Sequence, residues 1–178
     1  HYYWATARNA DGTARWKCSF GPICYDTATG RFDQSRRRGV VFGSGDGKVH
    51  LVDSAGKKQM EYDTGDEVKH VAAGDLDGDG IDEVLAGSLN YNVYCFSADK
   101  QRRWRLDLGA PVTALAIVPQ KQGDLAIAGT AQGRLATIDA KGNVRAVSQL
   151  NSEVHDIVVC HDSVVVATAD GRVTSVIP

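Results

Sequence analysis

Gly43-Ser44-Gly45-Asp46-Gly47-Lys48-Val49-His50-Leu51-Val52-Asp53 is the stretch that decides the fold, because it comes back three times along the chain. It recurs as Gly87-Ser88-Leu89-Asn90-Tyr91-Asn92-Val93-Tyr94-Cys95-Phe96-Ser97 and as Gly129-Thr130-Ala131-Gln132-Gly133-Arg134-Leu135-Ala136-Thr137-Ile138-Asp139. A fourth copy runs from Ala167 through Gly171 to Ile177, so the steps are 44, 42 and 38 residues. Trp16, Met60 and Trp104 keep the same spacing of 44, and Ala146 follows 42 later. A fixed period of this size is the mark of a repeat architecture.

Each unit holds four short apolar runs separated by Gly, Asp or Asn turns, the pattern of a four-stranded antiparallel meander. In the clearest unit the runs are residues 68–74, 82–88, 92–97 and 102–108. No segment carries a helical period. A unit of this length cannot bury a sheet face alone, and radial stacking of such sheets gives a continuous core with short, protected edges. The pattern predicts an all-β chain, a β-propeller of about four four-stranded antiparallel blades, or part of a larger propeller. Residues 1–178 are read as one partial propeller domain, with repeats at about 1–20 (partial), 21–64, 65–108, 109–150 and 151–178 (partial).

Between the first two runs of the clearest unit stands Asp75-Leu76-Asp77-Gly78-Asp79-Gly80-Ile81-Asp82-Glu83, with five carboxylates in nine residues. Ca²⁺ takes 6–8 oxygen ligands at about 2.3–2.6 Å, and a short loop supplies them only if it coils around the ion. Asp75, Asp77 and Asp79 are the expected carboxylate ligands, Ile81 offers its backbone carbonyl, Glu83 closes the shell, and Gly80 relieves the sharpest turn. Without a cation such a cluster repels itself. Position 9 runs into an apolar run rather than a helix, which separates the loop from an EF-hand. The competing interpretation is an acidic turn with no ion.

The stretch from Asp75 to Ser88 resembles the FG-GAP/VCBS type of propeller repeat, whose calcium loop joins the first two strands of a blade. Asp11-Gly12-Thr13-Ala14-Arg15-Trp16 and Asp139-Ala140-Lys141-Gly142-Asn143-Val144 resemble the outer turn of the PQQ-type repeat. The resemblance implies a calcium site that braces one blade, at Asp75, Asp77, Asp79, Ile81 and Glu83. It says little of function, because such propellers serve as receptors, lectin-like modules, scaffolds and enzymes.

The other units depart from the acidic pattern. Arg31-Phe32-Asp33-Gln34-Ser35-Arg36-Arg37-Arg38-Gly39 occupies the equivalent place in the first unit, and its fixed positive charge repels Ca²⁺. That cluster is expected to be solvated surface, with a small anion or sulfated glycan as the sharper alternative. The third unit has Val118-Pro119-Gln120-Lys121-Gln122-Gly123 there, and the fourth the tight hairpin His161-Asp162-Ser163. One metal site is predicted.

Residues 2–9 and 14–20 look like the last two strands of one blade, and 154–177 like a blade lacking its last strand, for a total of about seventeen. Strand 14–20 completing the last blade would close four blades. A segment excised from a longer polypeptide is the preferred expectation, and a homodimer that covers the open blade edges is the alternative.

With 43% hydrophobic residues and 19 glycines the composition is that of a turn-rich globular domain. A net charge of −2 gives no field for nucleic acid, and no apolar run approaches the ~18 residues that span a bilayer, so neither nucleic acid nor membrane insertion is expected. Cys18, Cys24, Cys95 and Cys160 are too scattered for a zinc site and are read as small core residues, with a Cys18–Cys24 disulfide as an alternative. A calcium loop suits an extracellular, periplasmic or cell-surface setting. Trp16 and Trp104 are expected to wedge one blade against the next.

No nucleophile elbow, His-Glu-x-x-His or phosphate-binding loop is present in the sequence. His70 and His155 are placed at equivalent points of two innermost strands, where they would face a central channel. The expected function is therefore a non-catalytic, calcium-braced binding or scaffold module presenting loops to a polysaccharide or protein partner. The alternative is the propeller part of a glycan-active or quinone-dependent enzyme.

Overall fold

The computed structural model describes residues 3–35, 37–97, 99–160 and 163–176. Seventeen strands run through them, with no helix among the described residues. The central three sheets are four-stranded antiparallel meanders. The first is β3 (Cys24–Gly30), β4 (Gly39–Ser44), β5 (Lys48–Val52) and β6 (Lys58–Asp63). The second is β7 (Val68–Gly74), β8 (Glu83–Ser88), β9 (Asn92–Phe96) and β10 (Arg102–Asp107). The third is β11 (Val112–Val118), β12 (Leu125–Thr130), β13 (Arg134–Ile138) and β14 (Val144–Gln149). Flanking them are a pair, β1 (Tyr3–Arg8) with β2 (Ala14–Phe20), and a three-stranded sheet, β15 (Val154–Cys160), β16 (Ser163–Thr168) and β17 (Val173–Val176).

Three sheets thus have four strands, one has three and one has two, and the two incomplete sheets stand where repeats 1–20 and 151–178 are read as partial. Strand β2 pairs with β1 and not with the last sheet. Trp16 of β2 is seated on the first four-stranded sheet, where its indole Nε1 donates to the Ser54 carbonyl at 3.1 Å in the turn between β5 and β6. Its ring lies against Gly56, where a methyl group would come within 2.7 Å of the indole. That seat holds β1–β2 beside the first four-stranded sheet. Trp104 repeats the arrangement, with Nε1 donating to the Ala140 carbonyl at 3.0 Å and the ring against Gly142. Gly56 and Gly142 both take φ of +80°, so each is suited to glycine twice over, by conformation and by space.

The innermost strands β3, β7, β11 and β15 lie side by side in that order, as blades around an axis require. They meet through a repeated glycine–valine contact. Gly43 in β4 faces Val68 of the next sheet, Gly87 in β8 faces Val112, and Gly129 in β12 faces Val154. A methyl on Gly87 would lie 2.6 Å from Val112 Cγ1, and one on Gly43 would lie 2.9 Å from Val68 Cγ1. Val68, Val112 and Val154 are all fully buried. The core therefore runs between the sheets in three clusters. Phe96, Val41 and Val49 belong to the first, Leu85, Ile138 and Val93 to the second, and Ile127, Val164 and Val166 to the third.

The cysteines depart from their expected burial. All four are free, so Cys18 and Cys24 form no disulfide. Only Cys95 is buried, and Cys160 is exposed at the end of β15. Of the hairpin read at 161–163, His161 and Asp162 lie outside the described residues, as does Arg36 of the arginine cluster.

Gly87→Ala tests the contact between sheets. The added methyl should cost about 1–3 kcal/mol, the range for overpacking a well-filled core. Urea unfolding checks it, and a midpoint equal to that of the parent protein would mean the sheets separate there without strain.

Candidate functional site

The acidic loop joins β7 to β8. Its backbone coils through two left-handed glycines, Gly78 at φ +80° and Gly80 at φ +88°. Those turns point amide hydrogens inward. Both Asp75 carboxylate oxygens accept backbone N–H groups, from Gly78 and Gly80, at 2.8 Å each. Asp77 Oδ1 accepts from Asp79 N at 3.3 Å, and Asp79 Oδ1 from Ile81 N at 2.8 Å. Glu83 opens β8 and is only 2% exposed, with Oε2 accepting from Leu76 N at 3.0 Å.

Asp75, Asp77 and Glu83 come together, each offering an oxygen within 4.8 Å of the others. Asp79 and Ile81 do not join that cluster through side chains, and the Asp79 carboxylate is turned back into the loop. A cation already faces the cluster. Arg103 of β10 places one guanidinium nitrogen 2.6 Å from Asp77 Oδ2 and 3.1 Å from Glu83 Oε1. The cluster's mutual repulsion is thus partly met by the protein's own charge. Burial first, and the neighbouring Asp77 charge second, still push the Glu83 carboxyl up to about 7 against the pull of Arg103.

Asp82 leaves the loop altogether and ties two sheets together. Its Oδ2 accepts from Arg31 N at 2.7 Å, and its own N–H donates to the Arg31 carbonyl at 2.7 Å. Asp124, the equivalent residue 42 positions on, does the same to Asp75, with bonds of 3.1 and 2.8 Å. This two-bond latch between neighbouring sheets was not anticipated from the sequence. Its only signal there is an aspartate at the same place in three repeats, Asp82, Asp124 and Asp162. Arg103 was missed too, since it is one of three arginines on an outer strand and residue type shows nothing of where each tip will reach.

A second feature lies at the start of the inner strands. In β3, β7, β11 and β15 the pairing register slips after the first residue, which leaves Tyr25, Lys69, Thr113 and His155 at equivalent bulged positions. These four, with His70 and Asp156, line a cavity of ≈ 530 Å³. Lys69 Nζ sits 3.4 Å from the centre of the Tyr25 ring and 2.5 Å from Glu67 Oε2. The expected equivalence of His70 and His155 is corrected. His155 matches Lys69, whereas His70 matches Asp156, because Val68 and Val154 open their strands and the same slip follows each. Both histidines nevertheless line the cavity. Burial holds the His70 pKa below its usual value, against the pull of Asp26, whose Oδ2 is 3.9 Å away.

Sheets of this order, joined through their innermost strands, define a β-propeller domain. Residues 39–162, well over half of the chain, match the family described as the lambda-carrageenase beta-propeller domain. The chain belongs to that family. Two curated relatives are lambda-carrageenases. That of a Pseudoalteromonas species is 25% identical over 107 residues, and that of Pseudoalteromonas carrageenovora 24%. Each alignment takes in 59% of this chain but only 11% of the relative, so the chain spans about a tenth of their length. Among solved structures, the computationally designed Ika4 protein superposes with a TM-score of 0.70 at 22% identity, covering 89% of this chain and 92% of that one. BBS1N, in its complex with ARL6DN, gives 0.77 at 14% identity over 97% of this chain and 58% of the other. These likenesses show the fold alone.

Arg103→Met tests the electrostatics of the cluster in protein free of divalent ions. It leaves a buried carboxylate without its counter-charge, which should cost about 3 kcal/mol above pH 7.5. Because the folded-state pKa of Glu83 is raised, its ionisation opposes folding. That penalty is absent below the ordinary value of 4.5 and grows as pH rises to about 7. The variant's deficit should therefore shrink on acidification to pH 5. Thermal melts at both pH values check this, and a deficit independent of pH would show that Arg103 does not act on Glu83.

Proposed function

We propose that this chain is a propeller module of a glycan-active protein at the cell surface or outside the cell, and that it holds polysaccharide rather than cleaving it. The observation that carries this reading is membership of the lambda-carrageenase beta-propeller family over residues 39–162. The inner-strand cavity supports it. Its lining of Tyr25, Lys69, His70, Thr113, His155 and Asp156 combines an aromatic ring with hydrogen-bonding groups, a mixture suited to sugar hydroxyls. Incubating the chain with lambda-carrageenan and with a panel of neutral polysaccharides tests the proposal. Retention on at least one of them with no new reducing ends is expected. Release of oligosaccharides would overturn the non-catalytic part, and retention on none would overturn the whole.

The same proposal assigns calcium to the loop at 75–83. Asp75, Asp77 and Glu83 supply clustered oxygens, and Asp79 and the Ile81 carbonyl are the remaining donors of the loop. The likeness of this loop to FG-GAP/VCBS repeats supports it, as does the hard, all-oxygen donor set. Arg103 is the competitor such an ion must displace from Asp77. Calcium in hundredfold excess over its dissociation constant should stabilise the fold by about 2.7 kcal/mol. Asp77→Ala should remove that dependence. Identical melting curves in millimolar calcium and in chelator would sink the assignment.

A further inference from the structure

A cleft of ≈ 670 Å³ opens between the β1–β2 pair and the first four-stranded sheet, lined by Arg15, Trp16, Arg37, Arg38, Ser54 and Ala55. We infer that this cleft binds the sulfate esters of an anionic polysaccharide, an inference that rests on the glycan-module reading above and adds a ligand chemistry and a second place to it.

Charge is the first support. Arg15, Arg37 and Arg38 are exposed, and among the described residues none of them forms an ion pair with a carboxylate. The acids close by are already engaged. Asp53 Oδ1 accepts from Ala55 N and Lys57 N at 2.9 Å each, and its Oδ2 accepts from Gln59 Nε2 at 2.8 Å. Asp33 Oδ1 accepts from Ser35 N at 2.8 Å, and its charge is offset by Lys100 as well as Arg37. The contrast within the repeat is direct. Arg103 holds the place of Arg15 two sheets further on, and there the guanidinium is spent on Asp77 and Glu83. Arg38 donates one N–H to the Thr29 carbonyl at 3.5 Å, a neutral acceptor, so on a chain of net charge −2 three guanidiniums without a carboxylate partner make a local positive field at one cleft.

Chemistry and shape are the second support. A guanidinium presents parallel N–H donors that match two oxygens of a tetrahedral oxyanion, which an ammonium does not. Trp16, half-buried and fixed by its bond to the Ser54 carbonyl, adds an apolar flank for a pyranose ring beside those donors. Arginines for the ester and an indole for the ring suit a sulfated sugar better than a bare ion.

The test uses the 178-residue chain, titrated calorimetrically with lambda-carrageenan, with its chemically desulfated form and with linear polyphosphate, at low and moderate salt. The expected result is binding of lambda-carrageenan that weakens at least tenfold in the Arg15→Glu/Arg37→Glu double variant, with an unchanged melting temperature and a shallower salt dependence. Desulfation should weaken binding to a similar degree. Should the double variant fold poorly, Arg15→Gln and Arg37→Gln singly keep the question open to refutation, each expected to weaken binding severalfold. Binding that ignores the arginine changes, or ignores desulfation, would overturn the cleft while leaving the glycan-module reading in place. Polyphosphate binding as tight as carrageenan would overturn the sulfated sugar as ligand. Failure of the parent chain to bind any polysaccharide, neutral ones included, would overturn both.

Discussion

The structure depends on how closely one sheet can approach the next. At Gly43, Gly87 and Gly129 the second strand of a sheet carries no side chain, and the first valine of the following sheet fills the space. Each contact sets the distance between two sheets near the axis, where they are nearest. Wider out, Trp16 and Trp104 fill the gap that opens as the sheets diverge. A small residue at the hub and a large one at the rim is the taper that wedge-shaped blades require, and it recurs because every interface has the same shape.

The connections between the first two strands show how one scaffold carries opposite chemistry. In the second four-stranded sheet this loop is acidic and coils around its own amide hydrogens. In the first sheet the same place holds arginines that face solvent. The backbone latch from Asp82 to Arg31 and from Asp124 to Asp75 ties the loops of neighbouring sheets in series. Loop charge can vary because the latch relies on main-chain groups of its partner, which every residue but proline supplies in full. Fold and loop charge are thus borne by different atoms of the same segment.

Much of the fold was legible because a repeat reports the same environment several times. The strand at 68–74 and the turns around Gly78 and Gly80 follow from alternation and from glycine's access to positive φ. The equivalence of His70 and His155 fails by one residue, since Val68-Lys69-His70 aligns with Val154-His155-Asp156 from the first valine, and the bulge common to both strands leaves that match unchanged. The acidic loop was read as needing an external cation. Arg103, twenty residues beyond the loop, meets part of that charge from across the sheet.

The amino-acid sequence by itself determined the all-β class, the repeat length and the chemistry of each loop, because these rest on periodicity and on residue type. The tertiary structure decided which charges meet, which strands share a sheet and which side chains form a cavity. Strand β2 has the same polar and apolar pattern as β6 or β10, yet those two close four-stranded sheets while β2 pairs with β1 alone. Such outcomes belong to distances between residues far apart in the chain, and local pattern carries no measure of them.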